Sequence, residues 1–279
     1  MLGIVTDSAS DLDSADTQRL GIEVVPLSIR FGSEEFIDGV ELSIDDFYTK
    51  LANSEDLPET AAPSPGAFVE AYERLKAKGA DEIVVINLSS ALSATMQSAI
   101  TAVDLVEGVD VHVIDSKSIT GGLGNMVLAA AEAAAEGSTA ADVIANIEAT
   151  RSRTRVFGAL DTLDNLKKGG RIGGAQALVG TMLSVKPLLD LSSGEVEEAG
   201  RQRTRKKAMA WVRDKIIEAG DSAEQMTVLH GNAPDIDDFL AMIKDDVDLD
   251  KIRVSKIGPV IGTHGGPRVL GIAYLDGSS

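Results

Sequence analysis

Hydroxyl side chains, one arginine fork and one imidazole are the groups in this chain best placed by type and spacing to do chemistry. The densest set is Ser89-Ser90-Ala91-Leu92-Ser93, with Thr95 just beyond. A helix N-cap needs a single hydroxyl, and this run offers several. Neutral O–H donors beside the first, unpaired N–H groups of a helix suit a small anion such as a carboxylate. Thr60 and Ser64 form a second set, in a loop that Pro63 and Pro65 stiffen. His264 is the third candidate, because Gly262 and Gly265-Gly266-Pro267 around it specify a particular backbone. His112, inside a predicted strand, and His230, at the end of one, read as packed or surface residues. Arg171 stands in Lys167-Lys168-Gly169-Gly170-Arg171-Ile172-Gly173-Gly174, where glycines allow close backbone approach and the guanidinium offers a fork of donors to a carboxylate or phosphate.

The same residue types also serve covalent catalysis. Ser90 or Ser93 with His264 would be the nucleophile and base of a serine esterase or acyltransferase, although the chain has no GxSxG elbow. No His, Asp or Glu group has metal spacing such as HExxH, so neither a metal nor a cofactor is expected. The glycine-rich loop at Arg171 lacks the GK[ST] ending of a phosphate-binding loop. Gly121-Gly122-Leu123-Gly124 has Val127 where a dinucleotide fingerprint needs its last glycine.

These side chains need elements to hold them. Ile83-Val84-Val85-Ile86 reads as a strand buried on both faces, feeding through the serine run into a helix. Leu2 to Val5 is an earlier strand, followed by a helix near Ser14 to Leu20. Glu23 to Phe31 reads as one strand with Pro26 at an edge or bulge, and Phe36-Ile37-Asp38-Gly39 as a hairpin arm. Strand and helix then alternate to about residue 150, the signature of a mostly parallel sheet. We therefore expect an α/β protein of two α/β domains, 1–150 and 151–279. In the second, Ala175 to Leu183 reads as an apolar helix and Gln202 to Glu218 as a basic amphipathic one.

Composition narrows the class. At 279 residues, 44% hydrophobic and 25% charged, the chain is long enough for two cores and ordinary for a globular protein. It has no cysteine, which removes disulfides and thiol chemistry. No apolar run is long enough to span a bilayer and no signal peptide is read at the N-terminus, so a cytoplasmic protein without an integral membrane segment is expected. A formal charge of −18 opposes nucleic-acid binding. More than half of the 26 basic residues nevertheless lie between Arg151 and Lys215, so Arg171, Arg201 and Arg203 are read as a docking face for an anionic partner.

Several strings together resemble the DegV family of bacterial fatty-acid-binding proteins: Thr6-Asp7-Ser8-Ala9-Ser10-Asp11-Leu12, Asp38-Gly39, Thr60 to Ser64, Ser89 to Thr95, Asp115-Ser116, Lys168 to Ile172, Lys186-Pro187 and Thr263 to Pro267. The resemblance implies a non-catalytic lipid-carrying subunit that presents a long-chain fatty acid to a separate ATP-dependent fatty acid kinase, giving an acyl phosphate for phospholipid synthesis. It implies a ligand cleft between the two domains, with carboxylate binding by Thr60, Ser89, Ser90 and His264. Leu178, Met182 and Leu183, which recur on one side of the predicted helix, are expected to line the acyl tunnel, and the chain is expected to act as a monomer. The sequence departs from the family pattern at Ala61, Ala62, Ala94 and Arg268, where the family usually has Ser, Gln, Gly and Gly.

Overall fold

The computed structural model describes residues 1–178 and 185–277, with the side chain of Leu178 excluded. In chain order the first half runs β1 (Leu2–Asp7), α1 (Ser14–Leu20), β2 (Glu23–Val25), β3 (Ser28–Phe31), β4 (Glu34–Ile37), α2 (Ile44–Ala52), β5 (Glu59–Ala61), α3 (Pro65–Ala77), β6 (Glu82–Asn87), α4 (Thr95–Val103), β7 (Asp110–Asp115), α5 (Thr120–Ala135) and α6 (Ala140–Arg151). The second half runs β8 (Thr154–Ala159), α7 (Asp164–Lys168), β9 (Lys186–Asp190), β10 (Glu197–Gln202), α8 (Arg205–Ala219), β11 (Glu224–His230), α9 (Ile236–Ile243), β12 (Arg253–Lys256), α10 (Pro259–Gly265) and β13 (Leu270–Leu275). The fold is thus mixed α/β, as expected.

The first sheet has the order β2-β1-β6-β7 and is parallel throughout. Its inner strand β6 is buried on both faces, which is why Ile83 to Ile86 is a continuous apolar run. The second sheet has the order β10-β9-β8-β13-β11-β12, antiparallel except for the β11–β12 pair. Its latest strand in sequence, β13, lies between β8 and β11 in the middle of the sheet. A small antiparallel sheet, β4-β3-β5, carries Thr60 on its β5 edge.

Pro26 corrects one expectation. Glu23 to Phe31 is two strands, because a residue without an N–H cannot continue the ladder. Glu23–Val25 pairs with β1, whereas Ser28–Phe31 turns away and joins the small sheet. The predicted helix from Ala175 to Leu183 is a 3-10 turn over Gly173–Leu178. Met182, Leu183 and the side chain of Leu178 lie outside the described residues.

Helix α5 serves both sheets. A Cβ on Gly122 would stand 2.6 Å from Val156 on β8, and one on Gly124 would stand 2.7 Å from the Ser10 carbonyl beside β1. These glycines therefore exist for close packing and not for a nucleotide. One continuous apolar core results, with Ile86 and Leu123 from the first half joined to Val156, Leu229 and Val260 from the second.

Candidate functional site

An apolar cavity of about 180 Å³ lies between the loops that follow β6 and β7 and the second sheet. Leu88 and Ile119 form its wall on one side, and Val156, Leu189 and Leu229 form it on the other. Five polar side chains reach this lining: Thr60, Ser93, Thr120, Arg171 and His264. Thr60 and His264 pair directly, with Oγ1 and Nε2 2.9 Å apart across 204 positions of sequence.

The local chain fixes this pair. Pro259 at the first turn and Gly266 at φ 80° bound α10, so His264 rides on the last turn of a short helix and not on the loop that its glycines suggest. Asn165 Nδ2 donates to the Thr263 carbonyl at 2.9 Å and holds that turn in place. Gly169 lies flat against the imidazole; a Cβ there would be 2.4 Å from Nδ1. Burial, and then the neighbouring Arg171 charge, push the imidazole down to about 4, so it is neutral near pH 7.

Among the described residues Nδ1 has no hydrogen-bond partner. An unpaired buried N–H is the rarer and costlier case, so we assign the proton to Nε2. That proton is donated to Thr60 Oγ1, which leaves the Thr60 O–H free to donate into the cavity. Ser93 supplies a second hydroxyl on the same wall, next to Thr95 at 2.9 Å.

A second, solvent-facing cleft shares Thr60, Arg171 and His264 with the apolar cavity and adds Arg30 and Lys168. The Thr60–His264 pair thus stands at the junction of an apolar chamber and a charged opening, whose lining also includes Asp56 and Glu59, the latter paired with Arg30. Arg171 bridges them, donating from Nε to the Leu92 carbonyl at 3.2 Å and from Nη1 to the Gly169 carbonyl at 2.7 Å. Arg201 and Arg203 are exposed on and just after edge strand β10 and line neither space.

Ser89 and Ser90 also line neither space. The Ser89 hydroxyl donates at 2.6 Å to the carbonyl of Gly194, in the turn between β9 and β10, and so ties the second half to the first. The Ser90 hydroxyl donates to Asp115, which the β6–β7 register places at the end of the neighbouring strand. Ser64 caps α3. Asp7 lies across the ends of β1 and β6, where its carboxylate accepts the Leu88 N–H at 2.8 Å and Asn87 Nδ2 at 3.0 Å. The chain's own carboxylate thus meets the free amides at the end of β6, near which we expected an external anion. Among the described residues no serine bonds His264, and none forms a three-residue His, Asp and Glu group fit for a metal. Ser89→Ala is expected to lower stability by about 1–2 kcal/mol, read by denaturant unfolding, while leaving ligand affinity unchanged.

Arg268 keeps a left-handed backbone, φ 62°, at the position where the resembled family has glycine. Its guanidinium lies within ion-pair distance of Asp161 and Asp235, at 3.5 and 3.4 Å, contacts that offset the strain.

Known proteins share the fold over nearly the whole chain. The DegV family profile, described as "Uncharacterised protein, DegV family", matches residues 1–277. A DegV domain-containing protein of Halalkalibacterium halodurans is 38% identical over 98% of each chain. A solved structure described as fatty acid binding of a DegV family protein from Thermus thermophilus is 34% identical, superposes at a TM-score of 0.88 and covers 99% of both chains. A DegV described as a fatty acid binding protein from Bacillus subtilis is 30% identical at a TM-score of 0.86, again over 99% of both. No helix among the described residues is long and apolar enough to cross a membrane. With the family profile matched over residues 1–277 and 38% identity to a DegV domain-containing protein over 98% of each chain, the chain belongs to the DegV family.

Proposed function

We propose that this protein binds a long-chain fatty acid, with the acyl chain in the apolar cavity and the carboxylate at the Thr60–His264 junction beside Ser93. The observation that carries the reading is that pair, because it leaves an O–H donor where an apolar chamber opens on a charged cleft bearing Lys168 and Arg171. Neutral donors suit this ligand. They hold a carboxylate without neutralising it, so the oxygen facing the cleft stays nucleophilic. The fatty-acid binding described for the relatives from Thermus thermophilus and Bacillus subtilis supports the same ligand. Mass spectrometry of lipid extracted from the natively purified protein tests it: a stoichiometric fatty acid is expected, and a lipid-free protein that binds none on addition would sink the reading.

The second part of the proposal is that the chain presents this carboxylate to a separate ATP-dependent kinase and performs no chemistry itself. Lys168 and Arg171 beside the junction give a transferring phosphoryl group the positive charge it needs, Arg30 being paired with Glu59, and Arg201 and Arg203 are part of the docking face. Ser89 and Ser90 keep the two halves and the strand ends together around the site. On this basis Arg171→Ala leaves fatty-acid affinity nearly unchanged and lowers acyl-phosphate formation with the cognate kinase by about 100-fold. Release of the lipid by Arg171→Ala would instead assign the arginine to the pocket.

A further inference from the structure

Asp11 sits at a corner where four elements meet. Its backbone is left-handed, φ 50°, after the 3-10 turn Ser8–Ser10. Its Oδ1 accepts the Gly258 N–H at 2.9 Å, and its carbonyl accepts the Ser255 hydroxyl at 3.1 Å. Gly258 is the residue from which α10 starts, and α10 carries His264. Asp11 lines a second cavity of about 420 Å³, whereas Thr120, on the first turn of α5 beside the Asp11 carboxyl, lines the ligand cavity. Thr120 is itself strained, with φ 45°, an unusual value for a β-branched residue. Neither Asp11 Oδ2 nor Thr120 Oγ1 has a hydrogen-bond partner by distance and angle, and both atoms are buried.

The charges around Asp11 do not favour its ionised form. Asp7 on β1 and Asp38 just after β4 repel it, and the Tyr48 hydroxyl on α2 stands close enough to be affected by it. Asp13, Arg253 and Lys256 line the same second cavity. Both cations are held elsewhere, Arg253 by Asp16 at 2.6 Å and Lys256 by Asp45 at 2.8 Å. Burial, reinforced by Asp38 and Asp7, pushes Asp11 up to about 8 despite the Gly258 N–H it accepts and the nearby Thr120 hydroxyl, and burial pushes Asp7 and Asp38 up to about 6.

Resting on the ligand reading above, we propose that this corner is a pH-sensitive latch: closed, it seats α10 and the Thr60–His264 pair for the ligand, and it loosens when Asp11 gives up its proton. Any opened state in which water reaches Asp11 returns the group toward its ordinary value of 3.8. The closed state therefore binds the proton more tightly. Closure is least opposed below the ordinary value, and the advantage drains away as pH rises through about 8. Asn in place of Asp11 keeps the acceptor for Gly258 and removes the titration.

The test measures palmitate affinity by fluorescence competition between about pH 6 and 9.5, together with amide exchange of Gly258 to Gly262 in the lipid-free protein. In the wild type, affinity should fall about tenfold across that range while α10 exchange accelerates beyond the intrinsic pH effect; in Asp11→Asn both should be flat after that correction. Parallel profiles for the two proteins overturn the latch. Should Asp11→Asn fail to fold, Asp38→Asn decides: loss of its repulsion moves the midpoint to lower pH, and an unmoved midpoint overturns the proposal. Failure of palmitate to bind at any pH sinks the ligand reading alone, because the exchange measurement still reports on the corner.

Discussion

Thr60→Val is expected to weaken fatty-acid binding by about 10- to 100-fold, measured by isothermal titration with palmitate. A hydrogen bond to an ionised acceptor is worth about 1.5–3 kcal/mol, and this substitution removes the donor while keeping nearly the same volume. Thr60 is on an edge strand and half-buried, so the small sheet survives the change. The loss has two parts, since His264 Nε2 is left without its partner in the same step. An affinity within twofold of the wild type would remove Thr60 from the site.

Gly169→Ala is expected to act as strongly without touching a polar group. The added methyl would lie 2.4 Å from His264 Nδ1 and 3.1 Å from the Asn165 carbonyl. The carbonyl belongs to the backbone of α7, so the imidazole must move. Its hydrogen bond to Thr60 is then broken or lengthened, and affinity should fall about as far as for His264→Ala, roughly tenfold or more. Circular dichroism and thermal unfolding near wild-type values would show that the site moved and the fold did not. A Gly169→Ala protein with unchanged affinity would mean that the His264 position is not critical to binding.

The sequence made some of this site legible and hid the rest for identifiable reasons. Strand β6 and the turn after it follow from an apolar run ending in small polar residues, and the importance of His264 follows from the glycines and proline around it. Which hydroxyl faces the ligand does not follow. Ser89, Ser90 and Ser93 are alike in sequence, and they differ only because Gly194, 105 positions away, captures one and Asp115, 25 away, captures another. The Thr60–His264 pairing spans 204 positions and no local pattern encodes it. The cavity walls were harder still. Val156, Leu189 and Leu229 are strand residues buried like any core residue, and an apolar side chain facing a cavity has the same sequence signature as one packed against a neighbour. The split at Pro26 shows a local rule read correctly in kind and too weakly in extent.

The position of β13 has a consequence for how the molecule is made. The strand that follows all others in the sequence fills the middle of the second sheet, so a nascent chain cannot close that sheet until its final strand has left the ribosome. The 122 residues from Thr154 to Leu275 need roughly 6–24 s to synthesise. Throughout that time the glycine face of α5 has only one of its two partners and remains open to water. Such an unfinished molecule exposes apolar surface and an unpaired strand edge, the features that make folding intermediates prone to aggregate. A chain cut short before Leu270 lacks the strand that unites β8 with β11, and with it Gly271 of the cavity lining.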